Sequence, residues 1–194
     1  MFPNTDVKRR FIADHFRKRR TPLTEDAILE AIKAPRSKYD VYWGVLALRD
    51  VGTARAVPLL KALLHYPMQD VKDCAVLTIA HIAGASETDF YLSALTEKGS
   101  RKIYPMWAIE VAADARAVPV VVELVDSVLK KAARSTGADP GDAYLTGLKY
   151  LARVGLDRSE CSSTVALLQR AWANLSEGHR TTLRTALPSH VIPP

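Results

Sequence analysis

Ala54-Arg55-Ala56-Val57-Pro58 returns letter for letter as Ala115-Arg116-Ala117-Val118-Pro119, 61 positions further along the chain. Each copy follows a run of small residues with helical periodicity. Each precedes a strongly apolar run, Leu59-Leu60-Lys61-Ala62-Leu63-Leu64 in the first case and Val120-Val121-Val122-Glu123-Leu124-Val125 in the second. Self-similarity at a fixed spacing is the signature of a repeat architecture, and this spacing reads as two periods of about thirty residues.

The intervening copy is found by aligning the segment that precedes the motif. Ala47-Leu48-Arg49-Asp50-Val51-Gly52 aligns with Thr78-Ile79-Ala80-His81-Ile82-Ala83 and with Ala108-Ile109-Glu110-Val111-Ala112-Ala113. A fourth version is Tyr150-Leu151-Ala152-Arg153-Val154-Gly155. The apolar anchors Leu48, Ile79, Ile109 and Leu151 stand 31, 30 and 42 positions apart, the last interval lengthened by the polar stretch 135–141. Two helical patterns per period predict stacked helix pairs, because neither helix of a pair hides its apolar stripe alone.

The punctuation agrees. Pro58 and Pro119 fit the first turn of the second helix in a pair, where a missing N–H costs nothing. Gly52, Gly84 and Gly155 fit helix ends. Asp70, Ser86, Asp139 and Asp157 each stand three residues before an acid and read as N-caps, with Pro140 at a first helical position. Helices are expected near 5–19, 24–34, 38–51, 55–65, 69–83, 87–98, 101–113, 116–134, 140–154, 159–174 and 177–187. No segment has the alternation of a strand bounded by hairpin turns. The expected fold is all-α, an α-solenoid of stacked antiparallel helix pairs with about 11 helices, forming one domain over 1–194. Within it, 1–36 reads as an irregular cap, 37–134 as the clearest repeats, 135–187 as divergent repeats and 188–194 as a tail.

Ala56-Val57-Pro58-Leu59-Leu60, followed at the next junction by Asp70-Val71-Lys72 and Ala75, resembles the HEAT repeat family. The likeness is to the short HEAT-like repeats first described in phycobilisome lyases, and it is specific over about residues 38–130. It implies a right-handed, armadillo-type superhelix whose second helices line a concave binding face. On that face the candidate contacts are Arg55, Lys61, His65, Arg116, Glu123, Lys130, Lys131 and Arg134. These charges alternate in sign, which favours a protein partner over the continuous basic stripe that nucleic acid requires.

Composition limits the other classes. Of the 194 residues, 48% are hydrophobic and 25% charged, ordinary values for a globular chain and not for a disordered one. Cys74 and Cys161 follow no ligand spacing, which excludes a disulfide scaffold or cysteine-rich zinc module and predicts a reducing, cytoplasmic setting. No apolar run reaches the roughly 18 residues of a membrane span. The Ala, Val and Arg richness fits a bacterial source. Neither a cofactor nor a metal is expected: the five histidines lack metal-ligand spacing, and there is no glycine-rich phosphate loop and no nucleophile motif.

The net charge of +6 is concentrated at one end. Residues 1–20 hold Lys8, Arg9, Arg10, Arg17, Lys18, Arg19 and Arg20 against Asp6 and Asp14, and the remainder is nearly neutral. Val7, Phe11, Ile12 and Phe16 share one helical stripe, so the first helix is expected to dock that stripe on the next. Its basic residues are then either a solvated face or a contact for an anionic partner. Two further clusters have paired readings. Tyr39, Tyr42 and Trp43, with Tyr104 and Trp107, are either binding hot spots or packing between repeats. Trp107, Glu110 and Asp114 share a face, as in HEAT-like DNA glycosylases that use an Asp among aromatics; alternatively Trp107 is core and Asp114 caps the turn at Ala115.

These readings lead to a non-catalytic scaffold that binds a protein on its concave face, in an accessory, regulatory or toxin-neutralising role. A nucleic-acid-binding repeat protein anchored by the basic helix is the alternative. A glycosylase or lyase is the weaker one.

Overall fold

In a computed structural model, residues 4–98, 101–135 and 140–193 are described. About 80% of the described residues are helical, and no strand occurs among them. The chain divides into two compact units, Met1–Glu87 and Thr88–Pro194. Among the described residues ten helices have nine or more residues, against the eleven expected. The difference lies at 55–65. That stretch splits into a 3-10 turn Ala54–Ala56, a six-residue helix Val57–Ala62 and a second 3-10 turn Leu63–His65. Pro58 fixes its first turn and Pro67 forces Tyr66 into extended geometry, so no room is left for a longer helix.

The first unit contains α1 (Asp6–Arg19), α2 (Glu25–Lys33), α3 (Lys38–Val51), α4 (Val57–Ala62) and α5 (Gln69–Ala83). Helix α3 is central and packs against α1, α2 and α5, while α4 packs on α5. The second unit contains α6 (Thr88–Thr96), α7 (Ile103–Ala112), α8 (Val118–Ala132), α9 (Asp142–Val154), α10 (Ser162–Ala171) and α11 (Glu177–Ala186). There α6 packs on α7 and α8 on α9. Alternate helices also meet, α7 with α9, α8 with α10 and α9 with α11.

The anchors read from the sequence are the core. Leu48 and Ile79 are fully buried in the first unit, and Ile109 and Leu151 in the second. Truncating such a leucine to alanine costs about 2–5 kcal/mol. Both copies of the five-residue motif build the same local structure, a 3-10 turn entering a helix with proline in its first turn. In both, the second alanine and the valine are buried.

Several caps differ from expectation. Helix α5 starts two residues earlier than an Asp70 cap would allow, after Met68, and Gln69 donates to Asp73 at 2.8 Å. Ser86 lies inside the 3-10 turn Gly84–Glu87 and donates to the Ala83 carbonyl. The turn near Asp157 begins after Arg158. Pro140 precedes the N-cap Gly141 of α9 and is not its first helical residue; Asp139 lies outside the described residues. An acid three positions downstream of a polar residue also fits the interior of a helix or turn, so the spacing alone does not fix the cap. Gly52, Gly84 and Gly155 do end helices α3, α5 and α9.

Candidate functional site

Helix α1 is the place where charge and exposed apolar surface coincide. Thr5 caps its start by accepting from the Lys8 N–H, and Arg20, in the left-handed region at φ 54°, ends it. Its contacts with α3 run in reverse order. Asn4 donates to the Leu46 carbonyl at 2.6 Å and Arg9 to Asp50 at 3.2 Å. Phe11 stacks on Trp43 with centroids 6.2 Å apart, His15 meets Asp40 at 2.8 Å, and Arg19 reaches Ser37 at 3.1 Å. The two helices therefore lie antiparallel.

Asp40 is the polar node of this contact, and it is buried. One carboxylate oxygen receives His15 Nε2 and the Arg19 guanidinium at 3.2 Å. The other accepts the Arg36 and Ser37 backbone N–H groups, each at 2.8 Å. Burial by itself would raise the Asp40 pKa. The His15 hydrogen bond, the Ser37 and Arg36 N–H donors and the Arg19 charge outweigh it and hold the carboxyl below the usual range. A cavity of about 230 Å³ beside it is lined by Phe16, Arg19, Glu30, Arg36 and Asp40 among others. Both Asp40 oxygens are already engaged by the chain itself.

The expected apolar stripe of α1 is half buried and half bare. Ile12 and Phe16 are buried, but Val7 is 60% and Phe11 59% exposed. They overturn the expectation that all four dock. The reason is geometric: α3 covers only one narrow side of α1, and the i, i+4 row through Val7 and Phe11 leans off it toward solvent. A shallow surface hollow of about 440 Å³ lies along Arg10, Phe11, Ala13, Asp14 and Arg17. The basic residues are not equivalent. Arg9 is held by Asp6 and Asp50, Arg17 and Lys18 share Asp14, and Arg19 is held by Asp40. Lys8, Arg10 and Arg20 make no ion pair among the described residues.

The other candidates are placed as follows. In the first unit Arg55 pairs with Asp26 at 2.7 Å and Lys61 with Glu87 at 2.6 Å, while His65 is exposed. In the second unit Arg116 pairs with Asp114 at 2.6 Å and Asp89 at 3.3 Å. Glu123, Lys130, Lys131 and Arg134 are exposed, on α8 and just beyond its end. Arg55, Lys61 and Arg116 thus already serve ties within the chain.

Asp114 caps the repeated turn, as the milder reading had it. It accepts from the Arg116 N–H at 3.0 Å, from the Arg116 side chain and from the Thr88 hydroxyl at 2.9 Å. The Arg116 hydrogen bonds lower its pKa to about 2. The Glu110 carbonyl receives Arg153, and Trp107, half-buried, packs edge-on against Tyr104 at 5.3 Å. Both Asp114 oxygens are thus engaged by groups of the chain itself. Cys74 is half-buried, and desolvation pushes its thiol pKa up. Among the described residues no group of three or more His, Cys, Asp or Glu is arranged to hold a metal ion.

Sequence reasoning missed three features of the site. Ser37-x-x-Asp40 has the spacing of a capping box and would have located the Asp40 node. The tie between Glu25 and Thr53, at 2.8 and 2.9 Å, carries no local signal, because its partners are 28 residues apart. Arg49, buried with its Nε 3.3 Å from the Thr78 hydroxyl, reads in the sequence as an ordinary surface arginine. The chain matches no known family model, no curated protein and no solved structure.

Proposed function

We propose that this chain is a HEAT-like helical-repeat binding module whose ligand is another protein. The single observation that carries the reading is the pair of identical motifs. Each forms the same turn, and each sends its arginine back to the second residue of an earlier helix, Arg55 to Asp26 in α2 and Arg116 to Asp89 in α6. Packing of alternate helices in the second unit is the contact logic of stacked helix pairs. Such stacks supply extended surface, and their usual use is binding. The second reading, nucleic-acid binding, rests on Lys8, Arg10 and Arg20 lacking an acidic partner. Three bare cations make a short electrostatic footprint, so protein is preferred.

The test is affinity capture with the purified full-length chain from nuclease-treated extract of its own source. Recovery of a defined protein in stoichiometric amount is expected. Recovery of nothing, or of nucleic acid alone from a parallel untreated extract, overturns the reading.

A further inference from the structure

We propose that the bare Val7–Phe11 face of α1 docks an acidic segment of a partner protein that also carries large apolar side chains. This rests on the protein-binding reading above and names the surface and the chemistry of the ligand.

Four large hydrophobic side chains are exposed among the described residues: Val7, Phe11, Leu23 at 43% and Tyr39 at 51%. All fall between positions 7 and 39, although that stretch is a small fraction of the chain. Scattered exposure needs no explanation, but Val7 and Phe11 stand one helical turn apart on α1, and Phe11 borders the hollow. The Phe11 ring is also held in place. It lies nearly parallel to Trp43, at 23°, and Trp43 is itself wedged edge-on against Tyr42 at 5.0 Å. A fixed aromatic loses little entropy on binding, which is what makes such residues anchors.

Charge selects the occupant. Arg10 and Arg17 line the hollow beside Phe11, with Arg10 unpaired and Arg17 sharing Asp14 with Lys18. A ligand there meets cations flanking an apolar anchor. A phosphate backbone fits poorly, because Asp14 lies in the same hollow and Asp6 stands 89% exposed nearby. A bilayer fits poorly too: two apolar side chains with a carboxylate beside them bury too little area to hold a helix in an interface. A peptide alone can set a Leu or Phe on Phe11 and a Glu against Arg10 while leaving Asp14 in water.

The experiment measures anisotropy of a labelled helical peptide with Leu and Phe at i, i+4 flanked by Glu, titrated with the full-length chain. Its competitors are the same peptide with both apolar residues changed to Ala, a 20-nucleotide single-stranded DNA, and phosphatidylserine vesicles. The acidic amphipathic peptide is expected to bind. Its affinity should fall at least 10-fold with Phe11→Ala and with Arg10→Glu, both of which retain wild-type circular dichroism and melting temperature. Stronger competition by DNA or vesicles, or affinity indifferent to both substitutions, overturns the proposal. A photo-crosslinking amino acid at position 11, compared with one at 123, separates this failure from failure of the parent reading. A protein crosslinked only from 123 defeats this surface and spares the binding module, whereas protein adducts at neither position defeat both.

Discussion

Gly52 and Ala113 occupy the same place before the repeated turn, yet their backbones differ. Ala113 stands at φ 51°, in the left-handed region. Gly52 has φ −77°, open to any residue, and is glycine for space: a Cβ there would lie 2.4 Å from the Leu48 carbonyl oxygen and 2.9 Å from Ile82. The alanine therefore carries conformational strain of about 1–2 kcal/mol that glycine would relieve. Ala113→Gly is expected to raise the midpoint of thermal unfolding by a few degrees, and Gly52→Ala to lower it; calorimetry showing the opposite order would reject this account. Asp114, one residue on, makes stability depend on pH. Its folded pKa of about 2 lies below the ordinary 3.8, so its contribution is fully present above pH 4 and is lost as pH falls toward 2. The contribution is at most about 2 kcal/mol. Asp114→Asn keeps an acceptor for the Arg116 N–H but removes the charge. Its denaturant midpoint should thus approach the wild-type value at pH 2 and lag behind it at pH 6.

At the scale of the element, α1 divides into an anchoring side and a bare side. Ile12→Ala and Phe16→Ala should each destabilise the chain by about 2–5 kcal/mol, because both side chains are buried against the first unit. Val7→Ala and Phe11→Ala should stay within about 0.5–1 kcal/mol. Chemical denaturation of the four variants checks the division, and equal losses in all four would mean that Phe11 docks as the sequence pattern implied. The sequence alone could not decide this. Helical periodicity reports which residues share a stripe; it does not report how wide a stripe the neighbouring helix covers. The same reasoning explains what was legible. Helix borders set by proline, glycine and apolar period at α3, α5 and α9 agree with the expected limits to within two residues. The individual caps inferred from an acid three positions away were displaced by one or two residues, because that spacing is shared by caps, turns and helix interiors. The candidate surface was legible as charge but not as a surface. Arg9 and Arg19 are held by Asp50 and Asp40, acids supplied by another helix, which the sequence of α1 does not show.

For the whole molecule, the sharpest consequence concerns whether the two motif-bearing turns are physically interchangeable. In the first unit Thr53, ahead of the motif, donates from both its N–H and its hydroxyl to Glu25, the first residue of α2. In the second unit Asp114, ahead of the motif, accepts from Thr88, the first residue of α6. The same two positions are joined, with acid and hydroxyl exchanged between them. The arginine of each motif meets the next residue along the same helix, Asp26 or Asp89. If the two turns are copies of one structural unit, the first should accept the chemistry of the second. Glu25→Thr alone leaves Thr53 without its carboxylate, and Thr53→Asp alone sets two acids against each other. Each single change should destabilise by about 1 kcal/mol or more. The double variant restores an acid–hydroxyl pair in the arrangement of the second unit, while the carboxylate introduced at position 53 still caps the turn by accepting from the Arg55 N–H. A double-mutant cycle measured by urea denaturation should therefore show favourable coupling of about 1–2 kcal/mol, with the double variant more stable than either single one. Additive losses would mean that the identical five residues form similar turns by local sequence alone, and that the tie across the helix pair is not a property of the repeat.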